Sequence, residues 1–108
     1  MGRAMFLGWG GPVRPEEDEA SNAWYEQVHV PQVRKAMPTV ASVRRFTVLG
    51  SGADGGVKRY VACYELADAD AAGAAAALAA AATSGGFDMS PAMDRNSTEM
   101  QFLVPYEG

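Results

Sequence analysis

The chain has 108 residues, of which 48% are hydrophobic and 20% are charged, and its formal net charge at pH 7 is -4. This length is enough for one hydrophobic core, so we expect residues 1–108 to form a single domain. Nucleic-acid binding needs clustered Lys and Arg, and scattered basic residues in an acidic chain argue against it. No apolar run approaches the roughly 18 residues that span a membrane, so we expect a cytoplasmic protein without membrane contact.

The first half of the chain predicts a strand, a helix and a second strand. Residues 3–9 are short and mostly apolar and lead into a Gly-Gly-Pro turn, which is typical of a strand. Residues 15–19 place a proline and four acidic side chains at a helix start, where negative charge is stabilising. Pro31 disfavours helical geometry at the preceding residue, so we expect a kink or a break there. Residues 40–49 are rich in β-formers.

The second half predicts a strand, a helix and a last strand. The glycine-rich residues 50–56 indicate a loop, and a hairpin joins residues 40–49 to a strand over residues 58–66. Cys63 lies in this apolar strand, where a small buried hydrophobe is the common role. Residues 67–82 are almost all alanine and predict a helix with a packing role. Alternating apolar side chains in residues 97–106 predict the final strand.

The element order β-α-β-β-α-β indicates an α+β fold of the ferredoxin-like type. In that fold a four-stranded antiparallel sheet carries two helices on one face. The strand over residues 58–66 is apolar on both parities, which indicates that the other sheet face is covered as well. A second copy of so small a chain is the economical cover, so we expect a homodimer of the dimeric α+β barrel type.

The single histidine of the chain marks the candidate site. Tyr25 and His29 are four residues apart on the first predicted helix, so the phenol and the imidazole share one helical face. An imidazole with an ordinary pKa near 6.5 can take and return a proton at neutral pH, which suits enolisation, aldol cyclisation or elimination of water. In a structural alternative, His29 hydrogen bonds a carbonyl freed near Pro31 and holds the turn.

A longer pattern gives this site a family resemblance. The segment Trp24-Tyr25-x-x-x-His29-Val30-Pro31, followed by Met-Pro-Thr-Val and then Val-Arg-Arg-Phe, resembles the EthD-like branch of the dimeric α+β barrel superfamily. The chain has Pro-Thr where that branch usually has Pro-Gly. The superfamily includes cofactor-free cyclases, isomerases and dehydratases, small monooxygenases and some heme-handling proteins. The resemblance implies that His29 is the family histidine, with Tyr25 and Trp24 as its aromatic neighbours.

Further side chains are candidates for binding a substrate. The possible donors to an oxyanion are polar side chains on the predicted helix and strands: Tyr25, Tyr60, Tyr64, Arg44 and Arg45. Trp9 lies at the end of the first predicted strand, where it could line the mouth of a pocket, and Trp24 could contact a substrate beside His29. No spacing suits a structural zinc site or a nucleotide motif, so we expect neither a metal nor another cofactor.

Three functions are compatible with these patterns. The first is a small cofactor-free enzyme, a cyclase, isomerase or dehydratase, that acts on an aromatic or polyketide-like molecule in a biosynthetic pathway with His29 as acid and base. The second is a cofactor-free monooxygenase. The third is a ligand carrier or accessory subunit that uses the same cleft without catalysis. A fold of this versatility does not choose between them.

Overall fold

Four strands form one antiparallel sheet in the computed structural model of this chain, which describes residues 2–106. The strands are β1 (Met5–Gly10), β2 (Val40–Thr47), β3 (Tyr60–Leu66) and β4 (Glu99–Leu103), and their order across the sheet is β2-β3-β1-β4. Neighbouring strands pair antiparallel throughout. This arrangement confirms the predicted ferredoxin-like α+β fold, including the hairpin of β2 and β3.

The helical segments are α1 (Asp18–Trp24), α2 (Val30–Ala36) and α3 (Ala71–Thr83), and a π-helical turn, Tyr25–His29, joins the first two. Short 3-10 turns occupy Pro15–Glu17, Ala53–Gly55 and Arg95–Ser97. Val30 keeps helical dihedral angles, with φ of -57° and ψ of -48°, so the helix does not break before Pro31. The irregularity that Pro31 predicted is instead the π turn immediately before α2.

The core lies between one face of the sheet and the helices. Phe6 of β1 stacks against Tyr64 of β3 with ring centroids 5.3 Å apart, and both side chains are buried. Val33 and Met37 cover them from α2 and its end, while Leu78 covers them from α3. Burial of these apolar side chains places α2 and α3 on the same sheet face, as the element order predicted.

The opposite sheet face, which we call the outer face, carries no helix in residues 2–106. Because side chains alternate along a strand, Leu7 and Cys63, which are paired across β1 and β3, point to this face. Cys63 is only half-buried there, so its predicted place in the core is wrong for the single chain. None of the helices described between residues 2 and 106 is long and apolar enough to cross a membrane.

Candidate functional site

A cavity of about 300 Å³ lies between the inner face of the sheet and the helices. Its floor is the glycine-rich end of β1, and a Cβ atom on Gly8 would stand 3.7 Å from Tyr25 Oη and 3.8 Å from the Phe6 ring. Aromatic side chains of the π turn form one wall, and Phe87 and Met89 close one end. The volume is at the lower end of the range of small-molecule sites.

The alanine-rich helix α3 forms the opposite wall. Ala75, Ala79 and Ala82 line the cavity, and their spacing of four and three residues puts them on one face of the helix. Their small side chains leave space that larger residues would fill. The sequence indicated only a packing role for this helix. The feature that could have indicated a cavity is the presence of small residues on both facing elements, alanines on α3 and glycines on β1.

The π turn brings three aromatic rings together. The Val30 N–H bonds to the carbonyl of Tyr25, five residues earlier, which defines the turn. The His29 ring centroid lies 4.8 Å from that of Trp24 and 4.8 Å from that of Tyr25. Residues five apart in a regular α-helix lie about 140° apart around the axis, so the π turn is what aligns Trp24 with His29. The predicted Tyr25 and His29 pair therefore gains a third ring.

His29 is neutral over the physiological pH range. Burial, and to a smaller extent the positive charge of Arg45, lower the pKa of its imidazole from 6.5 to about 4. Its Nδ1 atom is buried and has no hydrogen-bond partner in the described part of the chain. The structural alternative for His29 was a hydrogen bond to a carbonyl near Pro31. Nδ1 makes no such bond within residues 2–106 of the structure.

Tyr25 and Tyr64 form a hydrogen-bonded pair of phenols at the base of the cavity. Their Oη atoms are 2.9 Å apart. Burial raises the pKa of both hydroxyl groups, so both stay protonated. Tyr25 lines the cavity, whereas Tyr64 lies beneath it in the core. Tyr64 therefore touches the site through Tyr25 and does not line it.

Arg45 is the cation of this site. One guanidinium nitrogen donates to Asn22 Oδ1 at 2.9 Å and another to Glu26 Oε2 at 3.2 Å. The guanidinium carbon lies 4.3 Å from the centroid of the Tyr25 ring, which is cation–π geometry. The side chain is only 18% exposed and lines the cavity. Arg45 therefore supplies positive charge to a wall that is otherwise largely apolar.

Arg44, which the sequence offered as a binding residue, lies on the outer face. It pairs with Cys63 across β2 and β3, and its guanidinium carbon is 5.3 Å from the ring centroid of Phe46. Adjacent residues of a strand point to opposite faces, so Arg44 and Arg45 cannot both face the cavity. The prediction of Arg44 is corrected here, and Arg45 is the residue of this pair that lines the cavity.

The remaining predicted binding residues border the cavity with their hydrogen-bonding groups engaged. The Trp24 indole N–H donates to the Asp88 carbonyl at 2.7 Å, and the Tyr60 hydroxyl donates to Asp18 Oδ1 at 2.7 Å. Each ring therefore contributes a wall surface. Trp9 also borders the cavity, but the alternation along β1 directs its side chain to the outer face, which leaves its main chain at the floor.

A loop contact that the sequence did not reveal closes the cavity beside Phe87. Gln32 Nε2 donates to Asp88 Oδ2 at 2.8 Å, and the Asp88 N–H donates to Gln32 Oε1 at 2.8 Å. With the bond from Trp24, three hydrogen bonds hold this loop on the helix. The reciprocal pairing spans 56 residues of sequence, which is why no local pattern indicates it.

Comparisons with known proteins assign no function to this site, so its residues are interpreted by their chemistry. No family model, no curated protein and no solved structure matches this chain. Within residues 2–106, no group of three or more His, Cys, Asp or Glu side chains is placed to hold a metal ion. The polar side chains that line the cavity are those of Ser21, Trp24, Tyr25, His29, Arg45, Tyr60 and Thr98.

Proposed function

We propose that the chain is a small cytoplasmic enzyme that works without a cofactor and moves a proton on an aromatic or polyketide-like molecule, as a cyclase, an isomerase or a dehydratase does. One observation carries this proposal: the ring of a neutral histidine stands at the wall of an apolar cavity, with its centroid 4.8 Å from that of Tyr25. His29 acts as general acid and base. The resemblance to the EthD-like branch is part of the proposal and rests on the sequence pattern Trp24-Tyr25-x-x-x-His29-Val30-Pro31.

The low pKa of His29 restricts the class of substrates from which it can take a proton. The imidazole is a weak base because its pKa is about 4, and proton transfer to a weak base is efficient only from an acidic C–H bond. A carbon between two carbonyl groups is such a carbon acid, and its enolate carries the charge on oxygen. Chains of alternating carbonyl groups are the defining feature of polyketide-like molecules. The cavity therefore favours a compact substrate with a 1,3-dicarbonyl unit.

Deuterium exchange on a 1,3-dicarbonyl probe tests this function. We expect the protein to accelerate exchange at the central carbon of benzoylacetone in deuterated buffer, as NMR measures it. His29→Gln removes the base while keeping a polar side chain, and we expect a loss of about a hundredfold or more in the catalysed rate. Gln27→Ala is the matched control, because Gln27 is exposed on the same turn and does not line the cavity.

The same experiment separates the competing functions. Exchange that needs no oxygen supports proton transfer, whereas product formation that consumes oxygen indicates a monooxygenase. Binding of benzoylacetone with no acceleration over buffer contradicts the proposed enzyme and favours a ligand carrier. The carrier is the second candidate because the cavity walls are largely apolar and burial keeps His29 uncharged.

We also propose that the outer face of the sheet is covered by a second copy of the chain. Phe46 and Leu103 are 43% and 42% exposed on this face, and they flank the apolar side chains of β1 and β3. Edge strand β2 carries Arg44 on this face and edge strand β4 carries Glu99. A two-fold axis along the strands places β2 of one copy over β4 of the other, which brings these opposite charges together.

Sedimentation analysis tests the homodimer. Leu7→Asp puts a charge at the centre of the outer face, and we expect it to convert a dimer into a monomer. Leu49→Asp is the matched control, since Leu49 is fully exposed in a turn, and it should leave the dimer intact. A wild-type chain that sediments as a monomer at high concentration contradicts this proposal.

A further inference from the structure

The Tyr64 hydroxyl has one hydrogen-bond acceptor among residues 2–106. Tyr64 is 0% exposed, and Tyr25 Oη, at 2.9 Å, is its hydrogen-bond partner in residues 2–106. A buried O–H group that is left without an acceptor is costly. Tyr64 therefore donates and Tyr25 accepts. This direction leaves the proton of the Tyr25 hydroxyl unused by the protein, and Tyr25 is the member of the pair that lines the cavity.

We propose that Tyr25 donates this free proton to an oxygen atom of the ligand, and that Tyr64 is the positioning residue that fixes the direction of the hydrogen bond. The inference rests on the proposal that the cavity is the ligand site, and it names the chemical class of the ligand group. That group is an oxygen that carries negative charge, in an enolate or a phenolate. A chain of two phenols strengthens the outer donor, because each hydrogen bond polarises the next.

Arg45 adds to the strength of this donor. Its guanidinium carbon lies 4.3 Å from the Tyr25 ring centroid and 5.2 Å from that of Tyr60. A cation against the ring stabilises the negative charge that develops on the Tyr25 oxygen as it donates. The guanidinium itself is held by Asn22 and Glu26, so it acts through the ring of Tyr25.

Two other donors at the cavity are engaged within the chain. The Tyr60 hydroxyl donates to Asp18 at 2.7 Å, and the Trp24 indole N–H donates to the Asp88 carbonyl at 2.7 Å. His29 is neutral, and as the base of the proposed reaction it accepts a proton. Tyr25 therefore remains as the phenol that can stabilise charge on the ligand while His29 takes the proton, which divides the two roles between adjacent rings.

Binding of para-nitrophenol measures the donor without any turnover. The phenol and phenolate forms have different visible spectra, so a titration gives the preference of the site for the charged form. Nitrobenzene, which lacks the hydroxyl oxygen, reports the apolar cavity alone. We expect Tyr25→Phe to reduce phenolate binding by about tenfold to a hundredfold and to leave nitrobenzene binding in place, since a hydrogen bond to a charged oxygen is lost.

The sign of the effect of Tyr64→Phe decides the inference. Phe keeps the ring that stacks on Phe6, so the fold should be retained. If Tyr64 donates to Tyr25, its removal weakens the relay and lowers the phenolate preference by about threefold. If the hydrogen bond runs the other way, its removal releases the Tyr25 proton and the preference rises. A rise, or no change, overturns the assignment of Tyr64.

Control variants separate this inference from the proposed function. Tyr106→Phe is a matched hydroxyl deletion at a phenol that is 94% exposed and does not line the cavity, and the phenolate preference should not change. His29→Gln should reduce deuterium exchange by about a hundredfold or more, and this readout tests the proposed function separately from the phenolate preference that the Tyr25 and Tyr64 variants report. A wild type that binds nitrobenzene and rejects the phenolate contradicts the donor role of Tyr25 and leaves the apolar ligand site standing. A wild-type protein that binds neither para-nitrophenol nor nitrobenzene contradicts both the proposed ligand site and the donor role of Tyr25.

Discussion

Burial of His29 has a measurable effect on folding as the pH falls. The imidazole takes a proton at pH 6.5 in the unfolded chain and at about pH 4 in the folded protein. Between these values the unfolded state binds more protons, so stability that is present above pH 6.5 is lost as the pH falls toward 4. The full difference corresponds to about 3 kcal/mol, because one pKa unit is worth about 1.4 kcal/mol.

Urea unfolding of the wild type and of His29→Gln measures this loss. Between about pH 7 and about pH 4.5, the wild type should lose about 2 kcal/mol more unfolding free energy than the variant. The variant carries every other titratable group, so the difference isolates the imidazole. Equal losses in the two proteins would refute the reasoning, because they would show that the folded protein accepts the proton as readily as the unfolded chain.

Three further changes test the walls of the cavity and the π turn. Gly8→Leu should abolish nitrobenzene binding in calorimetry, whereas Gly8→Ala should retain it, because its Cβ meets Tyr25 and Phe6 at ordinary contact distances. Arg45→Met should raise the pKa of His29 in an NMR titration, though not to 6.5 because burial is the larger cause, and should lower the unfolding free energy by about 1 to 2 kcal/mol. Deletion of Gln27 should restore a regular α-helix with a change in stability of about 1 kcal/mol or less, and it should leave the Trp24 and His29 rings, then four residues apart, on one face, so that phenolate binding is retained.

The fold follows from local signals in this sequence. Acidic residues at the start of α1, alternation in β4 and glycines between β2 and β3 each indicate one element, and the order of elements then selects the ferredoxin-like arrangement. The burial of Cys63 was predicted wrongly because β3 is apolar on both faces, and periodicity does not say which face meets the helices. Only the packing of Phe6 and Tyr64 settles that choice.

The site was predictable in part. The spacing of Tyr25 and His29 placed the two rings together, because four residues is close to one helical turn. The bonds from Trp24 and Gln32 to Asp88 depend on a loop far along the sequence, so no local pattern carries them. Strand register decides which groups form hydrogen bonds with the inward-facing side chains of Arg45, Tyr60 and Tyr64. The sequence did not predict that register.

The position of the π turn explains why three aromatic rings meet at this point of the helix. A π turn is rare in proteins, and such turns occur frequently at functional sites. Here the added residue lets α1 and α2 each keep a face on the sheet while Trp24, Tyr25 and His29 gather at one place. A regular helix would keep Tyr25 beside His29 but would turn Trp24 away, opening the imidazole to water. Because burial is the larger cause of the low pKa of His29, the π turn and the charge state of the imidazole are parts of the same arrangement.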